Sequence, residues 1–107
     1  MNIRFAENEI RYRVSPGEFQ ELKNGRYLQL DTIPLTFVVQ MAKKSLAQGM
    51  ALDLSCGAIH LAISPDEITE FENRLPSRSG IEKRLLLGES GGNRTLDVAF
   101  EVDIKTR

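Results

Sequence analysis

The residues whose types and spacing carry the most chemistry are Arg4, Arg11 and Arg13. Each sits on a stretch where polar and apolar residues alternate: Ile3 and Phe5 flank Arg4, and Ile10, Tyr12 and Val14 interleave with Arg11 and Arg13. Period-two alternation marks half-buried strands. A two-residue turn at Glu7-Asn8 pairs Phe5 with Ile10 and Ile3 with Tyr12, and Asn tolerates the positive φ such a turn requires. That register sets Arg4 opposite Arg11, with Arg13 two residues along. Like charges opposed across a strand pair destabilise by somewhat under about 1 kcal/mol. They are therefore tolerated if solvated, or if carboxylates or a bound anion stand among them. The last strand offers Glu101 and Asp103 at the same period, followed by Lys105 and Arg107. Three readings fit: a solvated sheet face, an inter-strand salt-bridge ladder, or a charged groove or channel for a polyanion. In the last, Arg4, Arg11, Arg13 and Lys105 bind the ligand.

Other reactive side chains are sparse. His60 is the single histidine and falls opposite Asp53 in the corresponding hairpin. Such a pair can orient an imidazole for acid–base work, or simply bridge two strands. Cys56 lies in the turn, which leaves a nucleophilic triad without support, and one His with one Cys excludes the usual zinc sites. Gly88 to Asn93 lacks the Gly-Lys-Ser/Thr ending of a phosphate loop and reads as a hairpin connection. Leu75 to Gly80 brings together two serines, an arginine and a glycine, either as a connection or as a small anion loop. No catalytic constellation is complete.

Elements must position these groups. Ser15-Pro16-Gly17-Glu18 ends the first hairpin and begins a helix, with Ser15 as cap, Pro16 in the first turn and Glu18 closing a capping box. Phe19 and Leu22 form its apolar stripe, and Asn24-Gly25 stops it. Arg26 to Asp31 and Leu35 to Ala42 read as strands, and Lys43 to Gly49 as a joint. The plan then recurs: Val14 to Leu22 matches Ile63 to Phe71 without a gap, and the match extends back to Ile3 and Leu52. Met50 to Leu54 and Ala58 to Ile63 are strands around Cys56-Gly57, and Ser64-Pro65-Asp66-Glu67 is a second capping box. Ile68 and Phe71 form a second stripe, and Ile81 to Leu87 and Arg94 to Lys105 are the closing strands. Apolar positions match between the copies while polar ones drift: Asp53, His60 and Ala62 stand where Arg4, Arg11 and Arg13 stand in the first. The expected fold is α+β and mostly antiparallel, a duplicated β-β-α-β-β unit with two short helices. It is a single domain over 1–107 with internal repeat 1–49 and 50–107. Two packed sheets with helices at the ends, or a curled sheet closing into a barrel, both satisfy it; closure is preferred because a four-strand unit can pair its free edges with its copy.

Composition bounds the partners. A chain of 107 residues buries one modest core. Its net charge of −1 argues against nucleic acid, which asks for a basic excess. The charge is unevenly shared: seven basic and five acidic residues in 1–49, seven and ten in 50–107. There is no apolar run of about 18 residues, so no membrane partner is expected. A single cysteine and no apolar leader point to the cytoplasm.

Two resemblances follow from these motifs. Through Ile3-Arg4, Ile10-Arg11-Tyr12-Arg13, the Ser-Pro helix start and Phe100-Glu101-Val102-Asp103, the chain resembles a family of small bacterial proteins known as a domain of unknown function, which implies no activity. Glu7-x-Glu9-x-Arg11 resembles the Glu-x-Glu-x-Lys signature of the CYTH superfamily, the triphosphate tunnel enzymes, and Glu101-x-Asp103-x-Lys105 is similar. That likeness implies a barrel lined by arginines and carboxylates, a triphosphate (polyphosphate or nucleotide) substrate, and a divalent metal such as Mg held here by Glu101 and Asp103. Arg11 replaces the lysine, and the motif straddles the turn. The expectation is a non-enzymatic domain without cofactor, acting by binding an unidentified ligand (a phosphate-containing anion among the options) or by forming a homodimer. CYTH-like triphosphate chemistry is the alternative.

Overall fold

The structure is a computed structural model and describes residues 1–55, 57–75, 80–87 and 94–103. The first hairpin forms as its alternation requires, β1 (Asn2–Ala6) against β2 (Glu9–Val14), with Ile3 opposite Tyr12, Arg4 opposite Arg11 and Phe5 opposite Ile10. Asn8 takes φ of 64° in the turn, the left-handed region that asparagine enters more readily than other non-glycine residues. Helix α1 (Pro16–Lys23) and the hairpin of β3 (Leu28–Asp31) and β4 (Thr36–Met41) follow. Then come β5 (Met50–Ser55) against β6 (Ala58–Ile63), α2 (Pro65–Arg74), and β7 (Ile81–Leu87) against β8 (Arg94–Val102). The order is β-β-α-β-β followed by β-β-α-β-β.

These hairpins do not assemble within their own halves. Sheet A runs β1-β2-β8-β7 and sheet B runs β3-β4-β6-β5. Each sheet thus joins a hairpin from one half to a hairpin from the other. The joins are parallel: Ile10 lies beside Val98 and Tyr12 beside Phe100 in sheet A, while Phe37 lies beside Ile59 and Val39 beside Leu61 in sheet B. Free hairpin edges are satisfied by the other half, as edge pairing demands. The described pairings give two separate four-stranded sheets rather than one closed barrel. Four strand pairs are antiparallel and two are parallel among the described residues.

The facing sides of the sheets supply the core: Tyr12, Val14, Phe100 and Leu85 from sheet A, and Val39, Leu61, Ile63 and Met50 from sheet B, are almost wholly buried. Both helices close the same end of this sandwich. Phe19 of α1 meets Phe71 of α2 edge-on at 5.6 Å, and Phe71 meets Phe100 of β8 at 6.3 Å, the tilted geometry that aromatic quadrupoles favour. The hairpin turns lie at the other end, where Phe5 and Phe37 touch at 5.7 Å and Phe5 and Leu54 remain well exposed.

The two helix starts differ. Ser15 and Glu18 form the capping box, Ser15 Oγ accepting from the Glu18 N–H at 3.1 Å and Glu18 accepting from the Ser15 N–H at 2.9 Å. The expected second box is absent. Ser64 makes no side-chain cap; its buried hydroxyl accepts instead from the Leu46 N–H at 2.7 Å. Glu67, the residue meant to close that box, is drawn to Lys83 Nζ at 2.8 Å. Gly80 is a second departure: a Cβ there would collide with the backbone of Phe100, so this glycine serves close strand approach and not merely a loop. No described helix is long and apolar enough to cross a membrane.

Candidate functional site

The register of sheet A places its charged residues, Lys83 excepted, on the face turned away from the core. Arg11 stands beside Arg4 on β1 and Ala99 on β8, and Ala99 stands beside Glu82 on β7. Arg4, Arg11, Ala99 and Glu82 therefore form one row across all four strands. Arg13 and Glu101 form the next row, opposite Asn2. Glu9, Asp97 and Arg84 form the row on the other side.

Asn2, Arg4, Arg11, Arg13 and Glu101 line a depression of about 210 Å³. A second, of about 410 Å³, shares Arg11 and is lined by Glu9, Glu82, Arg84, Asp97 and Ala99 among others. Arg11 is held from two sides: its Nε lies 3.0 Å from Glu9, and its Nη1 donates to Glu101. Arg13 Nη2 reaches the other Glu101 oxygen at 3.5 Å. Glu101 is thus the anchor, with its side chain only 17% exposed against 40% for Arg11 and 52% for Arg13. Arg84 Nε donates to Asp97 at 2.8 Å; that hydrogen bond, with the guanidinium charge, holds the Asp97 carboxyl below the usual range and raises Arg84. Arg4 and Glu82, at opposite ends of the central row, make no ion pair or hydrogen bond among the described residues.

The structure thus brings Arg4, Arg11, Arg13 and Glu101 together. Asp103 lies just beyond, lining a neighbouring depression of about 370 Å³ with Arg13, Ser15 and Glu18. Lys105 lies outside the described residues, as do Cys56, Gly88 to Asn93 and Pro76 to Ser79. Of the Glu7-x-Glu9-x-Arg11 motif, Glu7 is in the turn and exposed, while Glu9 pairs with Arg11. No group of three or more His, Cys, Asp or Glu side chains converges among the described residues. His60 and Asp53 are opposed in register, on the outer face of sheet B, without a hydrogen bond between them.

Sequence reasoning missed Ala99 and Glu82. Both enter the site only because β8 joins β2 in parallel, a pairing between distant segments that no local pattern encodes. The signal available was an alanine in the polar phase of the last strand, where Asp97 and Glu101 flank it. No family model, curated protein or solved structure matches the chain. The two family likenesses rest on their quoted motifs alone.

Proposed function

We propose that this protein is a small non-enzymatic binding domain that takes an anionic group on the outer face of sheet A, through Arg4, Arg11 and Arg13. The observation that carries this reading is three guanidinium groups from adjacent strands bordering one depression in which Arg4 has no partner among the described residues. Arg11 is neutralised by Glu9 and Glu101, and Arg4, Arg11 and Arg13 taken with Glu9 and Glu101 keep one net positive charge. Planar guanidinium forks match carboxylate and phosphate oxygens. A single anionic group suits that balance better than a polyanion, since the Glu101 carboxylate repels further negative charge. Inorganic phosphate should raise the melting temperature, and Arg4→Ala and Arg13→Ala should each abolish the rise. No rise in the wild type removes the reading.

A second reading, CYTH-like metal-dependent binding or hydrolysis of a triphosphate, draws support from Glu101 and Asp103 bordering Arg13 from two adjoining depressions. There the arginines and Lys105 would hold phosphates, and Glu101 and Asp103 a divalent ion such as Mg. Magnesium-dependent release of phosphate from tripolyphosphate, lost in Glu101→Gln, would favour it over simple binding. Self-association through the unpaired edge of β1 or β3 is checked by sedimentation at micromolar concentration.

A further inference from the structure

Resting on the anion-binding reading, we infer that the outer face of sheet A is a cradle for a small zwitterionic molecule, its anionic end on Arg4 and Arg13 and its cationic end on Glu82. Among the described residues, the central row runs from an unpartnered cation to an unpartnered anion, and the neighbouring charges are already matched: Arg11 by Glu9 and Glu101, Arg84 by Asp97. Arg4 on β1 and Glu82 on β7 are three strand spacings apart, about 14 Å between backbones. Between them stand Arg11, drawn aside by Glu9 and Glu101, and the floor residue Ala99, only 3% exposed although it belongs to the outer face. A residue with one methyl leaves room for the body of a ligand: the depression of about 410 Å³ over Ala99, in the range of small-molecule sites, runs from Glu82 to Arg11, and Arg11 is shared with the depression of about 210 Å³ that Arg4 and Arg13 line.

The other sheet provides the internal contrast. Its row with the same strand positions is Asp53, His60, Val38 and Gln29. There Val38 fills the place of the floor, and the ends carry an acid and an amide instead of opposite charges. The charge polarity and the small floor residue occur together in sheet A and are both missing from sheet B, which is the pattern of a site and not of generic sheet surface.

Aminohexyl phosphate is a suitable probe, with hexyl phosphate and inorganic phosphate as controls, followed by calorimetry and amide chemical shifts. The wild type should bind aminohexyl phosphate at least about tenfold more tightly than hexyl phosphate, the worth of one added charge pair. Shifts should map to Arg4, Arg11, Ala99 and Glu82. Glu82→Gln should erase the tenfold advantage while leaving hexyl phosphate binding unchanged, and Ala99→Val should weaken both alkyl phosphates but not inorganic phosphate. Equal binding of the two alkyl phosphates to the wild type, or an advantage surviving in Glu82→Gln, would overturn the zwitterion cradle and leave the anion site intact. Absence of binding by all three probes would overturn both. Circular dichroism melts of each variant separate loss of the site from loss of the fold.

Discussion

Tyr12 is the most telling single residue. It is wholly buried, and its hydroxyl has no hydrogen-bond partner among the described residues. An orphaned buried hydroxyl costs on the order of 1–3 kcal/mol, so Tyr12→Phe should leave the fold as stable or up to about 1 kcal/mol more stable, read from urea midpoints. Burial also drives the phenol well above its ordinary range. The folded state then holds a proton that the unfolded chain releases, so stability is full below the ordinary tyrosine pKa near 10 and falls as pH rises beyond it. Tyr12→Phe should blunt that alkaline fall. Glu18 behaves in the opposite sense. Burial pushes its carboxyl up, but hydrogen bonds from the Met1 amino group and from the Ser15 N–H and hydroxyl, together with the ammonium charge, bring it below the ordinary value. Its contribution is present above pH of about 4.5 and is lost as pH falls through the lowered value, so Glu18→Gln should flatten the acid side of the stability curve. The three arginines were legible at this scale because a two-residue turn fixes its own register; Ala99 was not, because its neighbour lies more than eighty residues away.

Among the elements, the hairpins came through nearly intact. β1, β2, β6 and β7 begin and end where alternation and turn residues place them, while β3 begins at Leu28 instead of Arg26 and β4 loses one residue at each end. Helix starts were less transparent. Identical Ser-Pro signatures give a capping box at Ser15 and a tether at Ser64, because only Ser64 is buried beneath the connection that carries Leu46. The consequence is measurable. Ser15→Ala should cost about 1 kcal/mol as an ordinary cap. Ser64→Ala should also cost about 1–3 kcal/mol, by stranding the Leu46 N–H, and should disturb amide shifts of 45–49 and not those of α2. Gly80→Ala should be strongly destabilising, since the glycine is buried and the new Cβ meets the Phe100 backbone.

At the level of the whole molecule, each sheet is shared between the halves, so neither half owns a complete sheet. Sequence pattern revealed four hairpins but not their exchange, which depends on which free edge meets which. Fragments 1–44 and 45–107 should therefore be unfolded alone and regain native circular dichroism when mixed; a folded single fragment would contradict the exchanged arrangement.

The sandwich is also unlike at its two ends. Both helices and the Phe19–Phe71–Phe100 cluster close one, while the turns and the exposed Phe5 and Leu54 mark the other. Unfolding should then travel like a zip from the turn end. In native-state hydrogen exchange, the amides of Ile10 and Ile59 should open at lower free energy than those of Val14 and Ile63, although each pair lies on a single strand.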